Sequence, residues 1–218
     1  MNILVVSPHP DDETLGAGGS ILKLRNDHKI FWLNITDMPA ELGYTVEQRT
    51  VRAMQIKKIK EFYKFDDMNN LMLPTTKLGS VSDDKVINEI GAYIDRIDAN
   101  WIILPDYNDA HSDHKHVFDW CFACTKTFRH SSIKAILTME ILSETNFGHP
   151  ISPFVPNFYI DISNTLEQKL QAAMIYDTEM GEHPFPRNTE DIKALAMLRG
   201  SEAGVKFAEA FRVIKMIQ

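Results

Sequence analysis

Two short stretches of the chain gather side chains able to bind a metal ion or move a proton. Residues 8–13 read "PHPDDE" and bring together His9, Asp11, Asp12 and Glu13; residues 109–116 read "DAHSDHKH" and bring together His111, Asp113, His114 and His116. Each alone has an ordinary reading. Proline and acids in a first turn suit a helix N-terminus, and Ser112 or Asp113 can cap a helix beside solvated histidines. Taken together they point to one site. A catalytic zinc takes three protein ligands, commonly histidine nitrogen and carboxylate oxygen, and leaves a fourth position to water. His9, Asp12 and His114 supply such a set. Asp11, next to a ligand but pointing elsewhere, can serve as general base toward a water whose pKa the metal lowers toward ~7. Asp113 can bond a ring nitrogen of His111 and favour its protonated form. A cationic His111 could then stabilise a tetrahedral oxyanion and protonate a leaving amine. His116 reads as a surface residue.

The pattern of elements puts the two stretches side by side. "NILVVS" (2–7) is an apolar run of strand length, followed by a helical pattern from about Asp12 to Arg25. Strands are expected at 29–36, 70–74, 101–105 and 133–141, with helices over 45–63, 82–97 and 112–128. A further strand at 157–162 and helices at about 163–179 and 189–204 close the chain. Strands apolar on both faces, alternating with helices, predict an α/β fold: a doubly wound, mostly parallel sheet covered on both sides. In the order 3-2-1-4-5, ligands bind where the winding reverses, at the carboxyl ends of strands one and four. "PHPDDE" follows strand one and "DAHSDH" follows strand four, so both loops fall at that point.

Composition narrows the field. With 218 residues, 44% of them hydrophobic, the chain can bury a large core and is expected to form a single domain, 1–218. A net charge of −7 without a basic stripe argues against a nucleic-acid partner. No run of about 18 apolar residues suggests a membrane span, and no secretory leader is evident, so a cytoplasmic location is expected. Cys121 and Cys124 fit a buried helical stripe with Val117 and Phe128 better than a redox or zinc pair. "LGAGGS" is glycine-rich after a first strand, yet it does not match a dinucleotide fingerprint. Gly16 and Gly18 fit, but Ile21 stands at the sixth position, and acids occupy the turn where a pyrophosphate would sit. These glycines suit close helix–sheet packing.

"PHPDDETLGAGGSI" and "DAHSDH" resemble the two signature motifs of the PIG-L/LmbE-like zinc-dependent N-acetylglucosaminyl deacetylases, a family that includes deacetylases of mycothiol and bacillithiol synthesis. The similarity continues through "TVEQR", "PNFYIDIS" and "LRGSEAGVKFAEAFRV", and so spans nearly the whole chain. The resemblance implies a Rossmann-like fold and hydrolysis of the N-acetyl group of a glucosamine unit or its conjugate. It implies zinc, with Fe²⁺ as an alternative, held by His9, Asp12 and His114. Asp11 would be the base, and His111, oriented by Asp113, would stabilise the transition state. Arg49 in "TVEQR" falls where relatives carry a substrate-pocket arginine. The partner would be a small amino-sugar substrate, and relatives include both monomers and larger rings, so a homo-oligomer is a further expectation. Ser112 replaces the usual proline of the second motif, and Ala110 stands where many relatives have arginine. The stretch 178–188, with His183 and Arg187, reads either as a substrate lid or as a solvated loop.

Other functions remain to be weighed against a deacetylase. One is an amidase cleaving a larger acyl group, to be told apart by pocket width. Another is a metal- or sugar-binding module without turnover, which would need neither Asp11 nor His111 and Asp113. A nucleotide-binding oxidoreductase would reveal itself by binding its cofactor.

Overall fold

The computed structural model describes residues 1–218. Thirteen elements alternate along the chain: β1 (Asn2–Ser7), α1 (Asp12–Leu24), β2 (Lys29–Asp37), α2 (Val46–Tyr63), β3 (Asp67–Pro74), α3 (Asp83–Arg96), β4 (Trp101–Pro105), α4 (Ser112–Ala123), β5 (Ala135–Met139), β6 (Phe158–Asp161), α5 (Leu166–Ala173), α6 (Thr189–Ala203) and β7 (Ala208–Met216). The strands form one seven-stranded sheet in the order β3-β2-β1-β4-β5-β7-β6. β1 to β5 run parallel, and β7 is antiparallel to both β5 and β6.

The alternation of side chains along each strand divides the core into two layers. Ile3 and Val5 of β1 face α1 and α5, in a cluster with Leu15, Ile21, Tyr63 and Tyr176. Leu4 and Val6 face the other way, toward α3 and α4, with Ile90, Ile94, Val117 and Cys121. Both faces are therefore covered, which is why these strands read as unbroken apolar runs. Helix α1 is buried from Asp12 to Leu22, and its glycines allow that. A Cβ on Gly16 would lie 2.7 Å from Met139 Sδ, and one on Gly19 would lie 2.8 Å from Ile162 Cγ2. Helix and sheet thus approach closer than any larger residue permits.

Several expected boundaries move. β3 begins at Asp67, because its polar first half is drawn into the sheet by pairing with Phe31–Asn34 of β2. α4 stops at Ala123; Cys121 and Cys124 are buried as expected, but Phe128 lies beyond the helix and is 80% exposed. The helix expected over 163–179 is α5 followed by a 3₁₀ segment, Met174–Glu179, with Tyr176 outside helical geometry. The expectation that helices close the chain is wrong: β7 does, filling the position between β5 and β6. No helix is long and apolar enough to cross a membrane.

Candidate metal centre and active site

The reversal point of the sheet lies between β1 and β4, which pair from Ile3↔Trp101 to Val5↔Ile103. After Ser7 the chain turns sharply into α1, and the turn centres on Asp11, whose φ of 145° is one that residues with a Cβ rarely adopt. The turn is held by main-chain bonds from Thr14 and Leu15 to the Asp11 carbonyl, both 2.9 Å. Asp11 occupies the N-cap position, yet its side chain makes no capping hydrogen bond. Capping therefore does not account for this acid. Its carboxylate turns instead to Arg187 Nη1, at 2.9 Å. Asp12 turns the other way: its Oδ2 accepts from the His9 main-chain N–H at 2.8 Å and lies 3.3 Å from His114 Nε2. Two adjacent acids thus face different partners.

At the second loop the cap is His111, not Ser112 or Asp113. Its Nδ1 accepts the Asp113 main-chain N–H at 3.0 Å. The Asp113 carboxylate does not reach the His111 ring. It accepts from Thr76 N–H at 2.7 Å and sits 3.1 Å from His9 Nε2, because the first turn of α4 aims it toward the end of β3. Those bonds hold the Asp113 carboxyl below its usual range despite its burial. With Nδ1 occupied as an acceptor, the His111 proton sits on Nε2. Burial, then the nearby His9, push its pKa down, against the cation expected from the sequence.

One ligand atom from each of His9, Asp12 and His114 lies within 4.8 Å of the others. The set fits a divalent ion on two grounds. His114 Nε2 is fully buried without a hydrogen-bond partner, an unusual state for a core nitrogen. Its Nδ1–H donates to buried Asp109 at 2.8 Å, and Asp109 also accepts from Thr145 Oγ1 at 2.7 Å. That arrangement, a carboxylate orienting an imidazole whose other nitrogen makes no hydrogen bond and faces a second carboxylate at 3.3 Å, is typical of a metal-ligating histidine. With only protein charges around them, both ligand histidines hold protons. Burial opposes the charged form, but Asp113 and Asp12 raise His9 to about 9, and Asp12 and Asp109 raise His114 to about 10.

Beside the triad opens a cavity of about 230 Å³, lined by His9, Asp11, His111, Arg52, Glu179 and Arg187 among others. Burial, then repulsion by Asp12, push the Asp11 carboxyl up to about 7. Glu13, the third acid of the first motif, stays out of the cavity. It is buried against Tyr176 and Thr14, and burial lifts it to about 8. Arg49 is exposed on α2 and does not line the cavity. On that helix it is Arg52, one turn on, that lines it; Arg52 donates to the Pro10 carbonyl at 2.7 Å and pairs with Glu179. His116 lies in tilted contact with the Trp120 ring and is not one of the triad. Reading the sequence missed Arg52 and Asp109, and it singled out Arg187 only as part of the stretch 178–188, without its tie to Asp11. Only Asp109 carried a local signal, as an acid five residues before His114.

Fold and site define a doubly wound α/β domain with a candidate His₂–carboxylate metal site at its switch point. A model of the PIG-L family, described as GlcNAc-PI de-N-acetylase, matches residues 4–125, and the chain belongs to that family. The chain is also 25% identical to the diacetylchitobiose deacetylase of Thermococcus kodakarensis, over 97% of this chain and 82% of that protein. Its fold is similar to that of N,N'-diacetylchitobiose deacetylase from Pyrococcus horikoshii, with a TM-score of 0.75, 20% identity, and coverage of 98% and 84% of the two chains. It is equally similar, at TM-score 0.75 and 14% identity over 98% and 95%, to GalB, the 4-carboxy-2-hydroxymuconate hydratase of Pseudomonas putida. The last shows that this fold also carries chemistry other than deacetylation, so the site must decide.

Proposed function

We propose that this chain is a divalent-metal-dependent hydrolase that removes the N-acetyl group from an N-acetylglucosamine-type sugar or its conjugate. The observation that carries this reading is the meeting of His9, Asp12 and His114 beside Asp11 at one cavity, in a chain of the PIG-L family. Two imidazoles and one carboxylate suit zinc, and also Fe²⁺. An ion held by His9, Asp12 and His114 would supply Lewis acidity toward water and the amide carbonyl.

The chain's own residues supply the rest. Asp11 takes the proton of the attacking water on the carboxylate oxygen that Arg187 leaves free. Its elevated pKa, about 7, suits a base that must also give the proton back, here to the departing amine. His111 offers Nε2–H to the carbonyl oxygen as negative charge develops there, a hydrogen-bond donor rather than a cationic acid. Asp113 serves His111 through its main-chain N–H and steadies His9 through its carboxylate. Arg52 lines the wall where sugar hydroxyls would lie.

The test is release of free amine from a panel of N-acetylated sugars and conjugates by metal-reconstituted protein. Amine release that a chelator abolishes and added metal restores is expected. Fully loaded protein that frees amine from no N-acetylated substrate would sink the proposal.

A further inference from the structure

Arg187 belongs to neither motif, yet it supplies the one hydrogen bond that the Asp11 carboxylate makes, Nη1 to Oδ2 at 2.9 Å. Its own position is fixed from three sides. Nε donates to Ser143 Oγ at 2.8 Å, Nη2 to Glu144 Oε1 at 3.1 Å, and Nη1 also lies 3.5 Å from Glu179. Ser143 and Glu144 follow β5, Glu179 ends the 3₁₀ segment, and Asp11 follows β1. One guanidinium therefore ties three separate segments at the cavity wall.

The turn that delivers it is braced from within. Gly181 N–H donates to the Arg187 carbonyl at 2.9 Å, and Phe185 N–H to that of Glu182 at 2.8 Å. Asn188 caps α6 by accepting from Asp191 N–H at 2.8 Å while donating to the Phe185 carbonyl. A Cβ on Gly181 would lie 2.6 Å from the Phe185 ring. Residues 181–185 are exposed, yet these bonds brace the turn where it delivers Arg187.

We propose that Arg187 is the positioning residue of the hydrolytic reaction: it holds the Asp11 carboxylate toward the cavity and away from the ligand set of Asp12. The inference rests on the reading of Asp11 as base. Main-chain bonds fix the Asp11 backbone but leave its side chain free to rotate. Without the guanidinium, no other hydrogen bond sets where that carboxylate points. Lysine could not replace it, because a single ammonium cannot reach Ser143, Glu144 and Asp11 with the planar fork that arginine presents.

The test uses the full metal-loaded chain and the variants Arg187→Met, Arg187→Lys and Arg187→Ala. Misplacing a reacting group by about 1 Å can cost on the order of 10²-fold, so Arg187→Met should lose roughly 10- to 100-fold in kcat, with KM changed by less than about threefold and metal content equal to the parent's. Arg187→Lys should recover little. Guanidinium ion in the assay should restore part of the kcat of Arg187→Ala, which it would not do for a merely structural defect. In crystal structures the Asp11 carboxylate should leave its place in Arg187→Met. An unmoved Asp11 carboxylate overturns the proposal, and so does a kcat within about twofold of the parent or a loss that guanidinium leaves unchanged. The crystallographic arm decides even for a chain that frees no amine, so failure of the deacetylase reading stays distinguishable.

Discussion

Asp109 offers the most direct probe of how the protein holds its metal. It is fully buried, it touches neither cavity nor substrate, and its two bonds go to His114 Nδ1–H and Thr145 Oγ1. Asp109→Asn keeps the shape and allows the amide oxygen to accept from His114 and its NH₂ to face the Thr145 hydroxyl. What it removes is the negative charge that makes His114 a stronger ligand. Loss of such a partner costs roughly 10- to 100-fold in metal affinity, or about 1.4 to 2.7 kcal/mol. Because the ion stabilises only the folded state, a tenfold weaker affinity at a fixed excess of metal removes about 1.4 kcal/mol of stabilisation. For a chain of this size that lowers Tm by about 3 to 5 °C. Asp109→Ala would also strand two buried donors at about 1 to 3 kcal/mol each, so it confounds metal loss with unfolding. The assay is competition for zinc against a chromophoric chelator, with thermal melts in chelator and in excess zinc. In chelator Asp109→Asn should already melt below the parent, because it removes one of the charges that hold the protonated His114, and excess zinc should widen the gap. If Asp109→Asn binds zinc as tightly as the parent, then either His114 is not a ligand or Asp109 does not tune it.

Further expectations concern the base, the arginines and the protons on the ligands. Asp11→Asn should keep its metal and lose roughly 10²- to 10⁴-fold in kcat with little change in KM; full turnover in steady-state assays would remove Asp11 as base. Arg52→Ala should raise KM several-fold, on the order of 1 kcal/mol of binding, while Arg49→Ala stays near the parent, because only Arg52 lines the cavity. The reverse result would restore Arg49 to the site. His9 and His114 stand at about 9 and about 10 without an ion, both above 6.5. Their contribution to stability is therefore complete below pH 6.5 and is lost as pH rises through 9 to 10, so the chelated protein should melt lower across that window. For the same reason, zinc binding at pH 7 should release about two protons, measurable by calorimetry in buffers of different ionisation enthalpy. Binding without proton release would show that both histidines are already neutral in the metal-free chain.

The alternation of elements and the meeting of two polar loops at the switch point are local properties, and the sequence carries them openly. An apolar run of strand length, buried on both faces, looks like what it is. A metal ligand set needs particular residue types at strand ends, so His9, Asp12 and His114 stand out before any fold is known. Asp11 and Asp12, identical in type, also reveal their divergence, because adjacent side chains on a turning backbone cannot face one point. β7 was hidden for the opposite reason. "AEAFRVIKM" includes Glu209, Arg212 and Lys215, and its strand character comes from distant partners, β5 and β6. The charge of Glu209 is hidden in the core by Lys169 Nζ at 2.6 Å, which sequence spacing cannot show.

The choice between Arg49 and Arg52 needed the tertiary structure as well. The buried face of α2 is Arg52, Gln55, Ile59 and Tyr63, half of it polar, so no apolar stripe tells which arginine points inward. The direction of the Asp113 carboxylate depends on where Thr76 and His9 sit, and these come from the ends of β3 and β1. Arg187 lies 176 residues from Asp11 in the chain yet donates to it directly. Residue type and local spacing singled out His9, Asp12, His114 and Asp11 as candidates. Which side chains orient them was decided by the packing of distant segments, because a hydrogen bond depends on position in space, and sequence separation does not encode it.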